Sequence, residues 1–248
     1  MRRLRLALAA LVVGALVLAG CTGTSERRLT VFAAASLTKV FTAFGDQFES
    51  DHPGVTVAFT FDGSSGLVDQ LRGGAKADVF ASADEANMTK AVDAGRTAGE
   101  PEVFARNVLT LVVPPGNPGE VTGLDDSLNG RKLVVCAAQV PCGAATSALA
   151  EKLGVRLKPV SEESKVTDAL GKVTAGEADA GIVYVTDAAG AGDAVESIEI
   201  PGADQVVNNY PIVQVEGAPE PQLAADFIAL VRSEQGRTVL TGAGFRTP

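Results

Sequence analysis

The 248-residue sequence predicts an α/β fold in two lobes, each a mostly parallel sheet flanked by helices, with a cleft at the hinge between them. Three observations lead there. From Leu29 onward, short apolar runs of strand length alternate with helix-length amphipathic segments, the pattern of βαβ units. The chain is too long for one small doubly wound domain and suits two. An internal echo sets GGAKADVFASAD (73–84) against TAGEADAGIVYVTD (174–187), one in each half. Glycine, Ala-Asp, an apolar strand, a hydroxyl residue and aspartate recur in that order, although chance recurrence of common residues accounts for the echo equally well.

The elements follow in order. LTVFA (29–33) reads as a buried strand. Leu37, Val40, Phe41, Phe44 and Phe48 then share one helical face. HPG (52–54) is a turn and VTVAF (55–59) a second strand. DGSSG (62–66) opens a second helix, followed by strands ADVFAS (77–82) and NVLTLVVP (107–114). KLVVCA (132–137) is a strand, GAATSALAEKLG (143–154) a helix, KVTDALGKVTAG (165–176) another helix, and GIVYV (181–185) a strand. NYPIVQV (209–215) is the last strand and PQLAADFIALVRSEQG (221–236) one C-terminal helix. PPGNPG (114–119) reads as the exit from lobe one, and the return falls near Gln205–Tyr210. Lobe one is therefore assigned to 29–113 and 209–248, and lobe two to 114–208.

The first residues give an address. MRRLR has three arginines and no acid, and LALAALVVGALVLAG leads to Cys21. Basic start, apolar run and small residues before a cut make residues 1–20 a secretory signal. Leu18-Ala19-Gly20-Cys21 resembles a bacterial lipobox, whose cysteine becomes the lipidated first residue. The apolar run is short for a full membrane span of about 20 residues, which weighs against an uncleaved anchor. Residues 21–28 then form a polar tether, with the membrane held through lipid on Cys21. Cleavage removes Arg2, Arg3 and Arg5 and no acid, so the net charge of −9 becomes more negative still. That argues against nucleic acid and anionic membrane surfaces as partners. Cys136 and Cys142 remain, an even pair in an exported chain, which reads as a disulfide; two reduced, semi-buried thiols are the alternative.

Three junctions between strand and helix are built of small residues: Ala33-Ala34-Ala35-Ser36, Gly63-Ser64-Ser65-Gly66 and Val140-Pro141-Cys142-Gly143. Helix N-termini hold unsatisfied N–H donors and the positive end of the helix dipole. Ser36 alone would be read as an ordinary N-cap. Three such junctions converging on one cleft would bind an anion, and none contains lysine or arginine. Neutral donors of this kind suit a tetrahedral oxyanion, selected by size and protonation.

TVFAAASL (30–37), FDGSSGLVDQL (61–71), KADVFASAD (76–84), VPCGAAT (140–146), SKVTDAL (164–170) and GEADAGIVYVTDA (176–188) resemble the molybdate-binding proteins of molybdate ABC importers. The resemblance runs from about Leu29 to the end. It implies a type II periplasmic-binding-protein fold, no catalysis, no cofactor, and a monomer that hands molybdate or tungstate to an ABC transporter permease. It also implies the ligand set: hydroxyl and amide of Ser36 and of Ser64, the amides of Cys142 and Val166, and the phenol of Tyr184. The metal would be met only through the oxyanion's oxygens. Cysteine at 142 departs from the small residue common there, but that contact is backbone. A Cys136–Cys142 bridge would hold the amide in place.

Competing readings remain. Tyr184, ending a strand, is on its own an ordinary packing residue. Ser36-Leu37-Thr38-Lys39 matches the S-x-x-K of serine acyl enzymes, yet no S-D-N or K-T-G follows. The single histidine, His52, is read as solvated, and a lone histidine weighs against a Ser-His-Asp triad or a histidine metal site. Asp84 and Asp187 are expected to cap or brace the lobes rather than bind metal. Tyr184 and Tyr210 are not adjacent in sequence, which weighs against ferric iron. Sulfate is the serious alternative ligand.

Overall fold

The computed structural model describes residues 27–248; the expected signal sequence (1–20) and Cys21 lie outside the described residues. The first sheet contains β1 (Arg27–Ala34), β2 (Val55–Asp62), β3 (Val79–Ala81), β4 (Thr97–Asn107) and β10 (Asn208–Val215), in the order β2-β1-β3-β10-β4. The second contains β5 (Leu109–Val113), β6 (Leu133–Cys136), β7 (Ser161–Glu163), β8 (Ala180–Tyr184) and β9 (Glu196–Ile198), in the order β7-β6-β8-β5-β9. Each sheet is mixed. β1 runs parallel to β2 and β3, and β6 parallel to β7 and β8. The fourth strand of each, β10 or β5, runs antiparallel to both neighbours. Those two strands have just arrived from the other lobe. They have no helical crossover behind them, so nothing forces a parallel orientation.

The two orders superpose position by position, so β3 matches β8. The echo in the sequence falls on that matched pair, Val79–Ala81 and Ala180–Tyr184.

Four assignments change. NVLTLVVP does not close lobe one: Leu109–Val113 pairs with β8 and β9, so the first crossing is at Val108 and not at PPGNPG. A continuous apolar run hides the break because both sheets bury it. Arg27 and Arg28 belong to β1, paired with Val55 and Thr56, and not to the tether. The C-terminal helix is two, α7 (Pro221–Arg232) and α8 (Glu234–Gly242), broken where Ser233 turns extended and its hydroxyl accepts from the Gly236 N–H at 3.0 Å. His52 is not simply solvated: its ring stacks on Phe48 and its Nδ1 lies 2.9 Å from the Phe48 carbonyl.

Helix α1 (Thr38–Asp51) buries Val40, Phe41, Phe44 and Phe48, the face set by their spacing. Phe227 of α7 packs edge-on against Phe41 and Phe48, which fastens the C-terminal helices to lobe one. The remaining helices are α2 (Ser64–Arg72), α3 (Glu85–Asp93), α4 (Pro141–Leu153), α5 (Val166–Thr174) and α6 (Val185–Ala191). Helices α1, α2, α4 and α5 each follow the C-terminal end of β1, β2, β6 or β7. That end of an open α/β sheet is where ligands are met.

Candidate functional site

Ser36, Ser64, Cys142, Val166 and Tyr184 all line one small cavity, together with Ala34, Ala35, Asp62, Gly63, Ala83, Val140 and Pro141. Its volume is about 10 Å³, the scale of a single water-sized centre. In this arrangement of the lobes the space suits a compact ion better than an organic solute. No lysine or arginine is among the lining residues.

The walls are helix starts. Ser64 is the first residue of α2, Val166 the first of α5, and Cys142 follows Pro141 at the start of α4. Helix geometry leaves their N–H groups without intrahelical acceptors. Proline suits α4's first position, where its missing N–H removes no helix bond. Gly143 is required by close approach: a Cβ there would stand 2.0 Å from the Ala137 carbonyl oxygen and 2.5 Å from that of Cys136. Cys136 and Cys142 are bridged, which ties the end of β6 to the start of α4 across this turn.

The two serines do not cap helices, as an isolated serine at such a junction would. Ser36 lies within a single 3-10 turn, Ala35–Leu37, and its Oγ meets the Tyr210 hydroxyl at 3.1 Å. Ser64 Oγ accepts the Ala83 N–H at 3.0 Å. Both side chains are therefore free of the caps and held by lobe one behind the cavity. Tyr184, at the end of β8, is buried, and its hydroxyl accepts from Asn208 Nδ2 at 3.0 Å. Burial pushes the Tyr184 phenol well above its ordinary pKa and raises Tyr210 likewise, so both stay protonated donors at neutral pH.

Asp62 is the one carboxylate in the wall; it accepts the Gly63 N–H at 2.8 Å. The lobes meet here. A Cβ on Gly63 would lie 2.2 Å from the Ser164 carbonyl oxygen of the opposite lobe. Asn87 also reaches across to the Gln139 carbonyl at 3.5 Å.

Asp84 caps α3, accepting from the Asn87 N–H at 2.9 Å. Asp187 accepts the Tyr184 N–H at 3.2 Å, and burial pushes its carboxyl up to about 7. Tyr184 and Tyr210, distant in sequence, are neighbours in space with ring centroids 5.9 Å apart. The ground on which sequence set ferric iron aside is thus removed; what weighs against iron instead is that only Tyr184 of the pair lines the cavity. Lys39 is exposed, and the Ser36 hydroxyl it would have to activate is bonded to Tyr210.

Sequence reasoning missed Tyr210, Asn107 and Asn208. Asn107 ends β4 and Asn208 begins β10, paired side by side where the chain crosses between lobes. The only signal was a polar residue at each end of an otherwise apolar crossing.

Known proteins supply the remaining comparison. The profile of the bacterial extracellular solute-binding protein family matches residues 29–246. The molybdate-binding protein ModA of Mycobacterium tuberculosis H37Rv is 46% identical over 223 residues, 90% of this chain and 85% of its own. The Escherichia coli K12 protein of the same name is 33% identical over 239 residues, 92% of each chain. The structure resembles the Azotobacter vinelandii periplasmic molybdate-binding protein with a TM-score of 0.78 at 23% identity, covering 89% of this chain and 99% of that one. It resembles the sulfate-binding protein SubI of M. tuberculosis with a TM-score of 0.73 at 20% identity, covering 89% and 87%. Likeness at that identity speaks for the fold alone, and the fold is shared by binders of different oxyanions. Sequence identity is more specific, and by it the chain belongs to the bacterial extracellular solute-binding proteins and, within them, to the ModA family.

Proposed function

We propose that this protein captures molybdate, and tungstate with it, outside the cell membrane and delivers it to the permease of an ABC importer. A lipid on Cys21 holds it to the membrane, and it works as a monomer without covalent chemistry. The oxyanion rests on the hydroxyls of Ser36, Ser64 and Tyr184 and on the amides of Ser36, Ser64, Cys142 and Val166.

The observation behind this is the lining of the cavity: three hydroxyls and several helix-start amides from both lobes around space for one small ion, with no lysine or arginine. Two charges on a dianion are met by dipoles, which hold it without requiring a buried counter-ion. The name shared by the ModA relatives supports molybdate as that ion.

Thermal melting of the purified protein with about 1 mM molybdate, tungstate, sulfate, phosphate or chromate tests the reading. A ligand at about 100 times its dissociation constant stabilises by about 2.7 kcal/mol, a shift of about 2–4 °C in a chain of this size. Shifts with molybdate and tungstate alone, reduced by Ser36→Ala, are expected. An equal shift with sulfate would reassign the ligand, and no shift with any oxyanion would remove the anion site.

A further inference from the structure

The cavity hydroxyls each have one proton, and binding a fully deprotonated oxyanion requires that proton to point inward. What lies behind the hydroxyls decides this. Asn208 Nδ2 is 2.9 Å from the Ala83 carbonyl oxygen and 3.0 Å from the Tyr184 hydroxyl. A carbonyl only accepts, so the atom facing it is the amide nitrogen, which settles the orientation of the side chain. The Tyr184 oxygen must then accept from Asn208, which leaves its own proton two places to go, the cavity and the neighbouring Tyr210 hydroxyl.

The second arm is longer. Asn107 Oδ1 accepts the Val108 N–H at 3.0 Å, which fixes that amide too. Its Nδ2 therefore donates, to Thr186 Oγ1 at 2.7 Å and to the Tyr210 hydroxyl at 3.4 Å. The Tyr210 hydroxyl meets Ser36 Oγ at 3.1 Å, a pair in which either can donate, and the arm is complete when Tyr210 does. Ser36 then accepts from behind and donates forward. Ser64 shows the same logic in its simplest form, because the N–H behind it belongs to the backbone of Ala83.

We infer that Asn107 and Asn208 are positioning residues that turn the Tyr184 and Ser36 protons into the cavity, so that these hydroxyls meet the ligand as donors and favour tetrahedral oxyanions bearing no proton. The inference rests on the oxyanion reading above. Each asparagine also spans the hinge: Asn107 reaches Thr186 of lobe two, and Asn208 reaches Tyr184. The donor direction is therefore set only while the lobes keep this arrangement.

Molybdate titration calorimetry on the full chain tests it with a double-substitution cycle. Asn208→Leu keeps the side-chain shape and removes the donor. It should weaken molybdate about tenfold in the wild-type background and less than about twofold in the Tyr184→Phe background, because the proton it orients is gone. An equal loss in both backgrounds would mean a merely structural role and overturn the inference. Asn107→Leu against Ser36→Ala repeats the cycle on the other arm. Should the leucine variants fail to melt cooperatively, Asn208→Asp provides a different readout. Its carboxylate accepts the Tyr184 proton, so affinity for hydrogen phosphate relative to molybdate should rise about tenfold; an unchanged ratio in a folded variant overturns the inference. A wild-type protein that binds no molybdate would instead overturn the oxyanion reading itself.

Discussion

The two lobes build matching halves of one site from different materials. In lobe one, the helix starts after β1 and β2 bring serine hydroxyls, Ser36 and Ser64. In lobe two, the helix starts after β6 and β7 bring Cys142, its sulfur engaged in a bridge, and Val166, whose side chain has no polar atom. Lobe two's helix starts can therefore offer only amides, and the one hydroxyl it adds comes from Tyr184 at a strand end. A hydroxyl can be aimed by whatever bonds it from behind. An amide can be aimed only by placing the chain, and lobe two invests accordingly in a proline, a close-packed glycine and a disulfide around a single turn.

That difference predicts how each half fails. In lobe one a donor is lost by deleting a side chain. In lobe two it is lost by moving the backbone, and the largest effect should come from Gly143→Ala. The new methyl would meet two carbonyl oxygens, both main chain and both too close to yield. The start of α4 must then shift and take the Cys142 amide with it. Molybdate affinity should fall at least about a hundredfold and stability by about 3 kcal/mol, measured by calorimetry and melting. Unchanged affinity would show that the tight turn is not what aims the amide.

Replacing both Cys136 and Cys142 by alanine separates the staple from the turn. The residues are six apart in sequence, a short loop, so about 2 kcal/mol of stability should be lost. The contact at 142 is an amide and survives substitution, so affinity should fall only a few-fold. A loss as large as that of Gly143→Ala would transfer the aiming role from the glycine to the bridge.

The same contrast explains what the sequence made visible. Small residues before helix starts are a local pattern, and all five expected ligand residues do line one cavity. Alternating runs likewise announced two α/β lobes. β4 escaped notice because TAGEPEVFARN is broken by glycine, proline and acids, as an edge strand can be. The crossing at Val108 escaped because Leu109–Val113 is as apolar as a strand of either lobe would be. Asn107 and Asn208 bond partners on the far side of the hinge, and Tyr210 bonds Ser36 from a distant strand, and no spacing along one chain records that. Their signal exists only once β4 and β10 lie side by side.

The smallest effect concerns two aspartates that the internal echo places at matching positions, Asp84 after β3 and Asp187 after β8. Burial raises both carboxyls. Asp84 is relieved by the Asn87 amide and side chain, by Ser82 and by the Lys90 charge. Asp187 has only the Tyr184 N–H to offset burial, and its carboxyl is pushed up to about 7. Unfolded, it would ionise near its ordinary value of 3.8. Between those limits the folded chain holds a proton that the unfolded chain has released, so stability from this group is full below about pH 4 and declines until about pH 7. The full shift sets a ceiling of about 4 kcal/mol; the side chain reaches solvent in part, and a decline of about 1 kcal/mol is expected. Asp187→Asn keeps the acceptor for Tyr184 and cannot ionise. Subtracting its melting profile from the wild type's between pH 4 and pH 8 should leave that decline, whereas Asp84→Asn should leave a smaller one. Equal declines would mean that the partners around Asp84 do not distinguish the lobes, and a flat difference for Asp187 would place its titration outside that window.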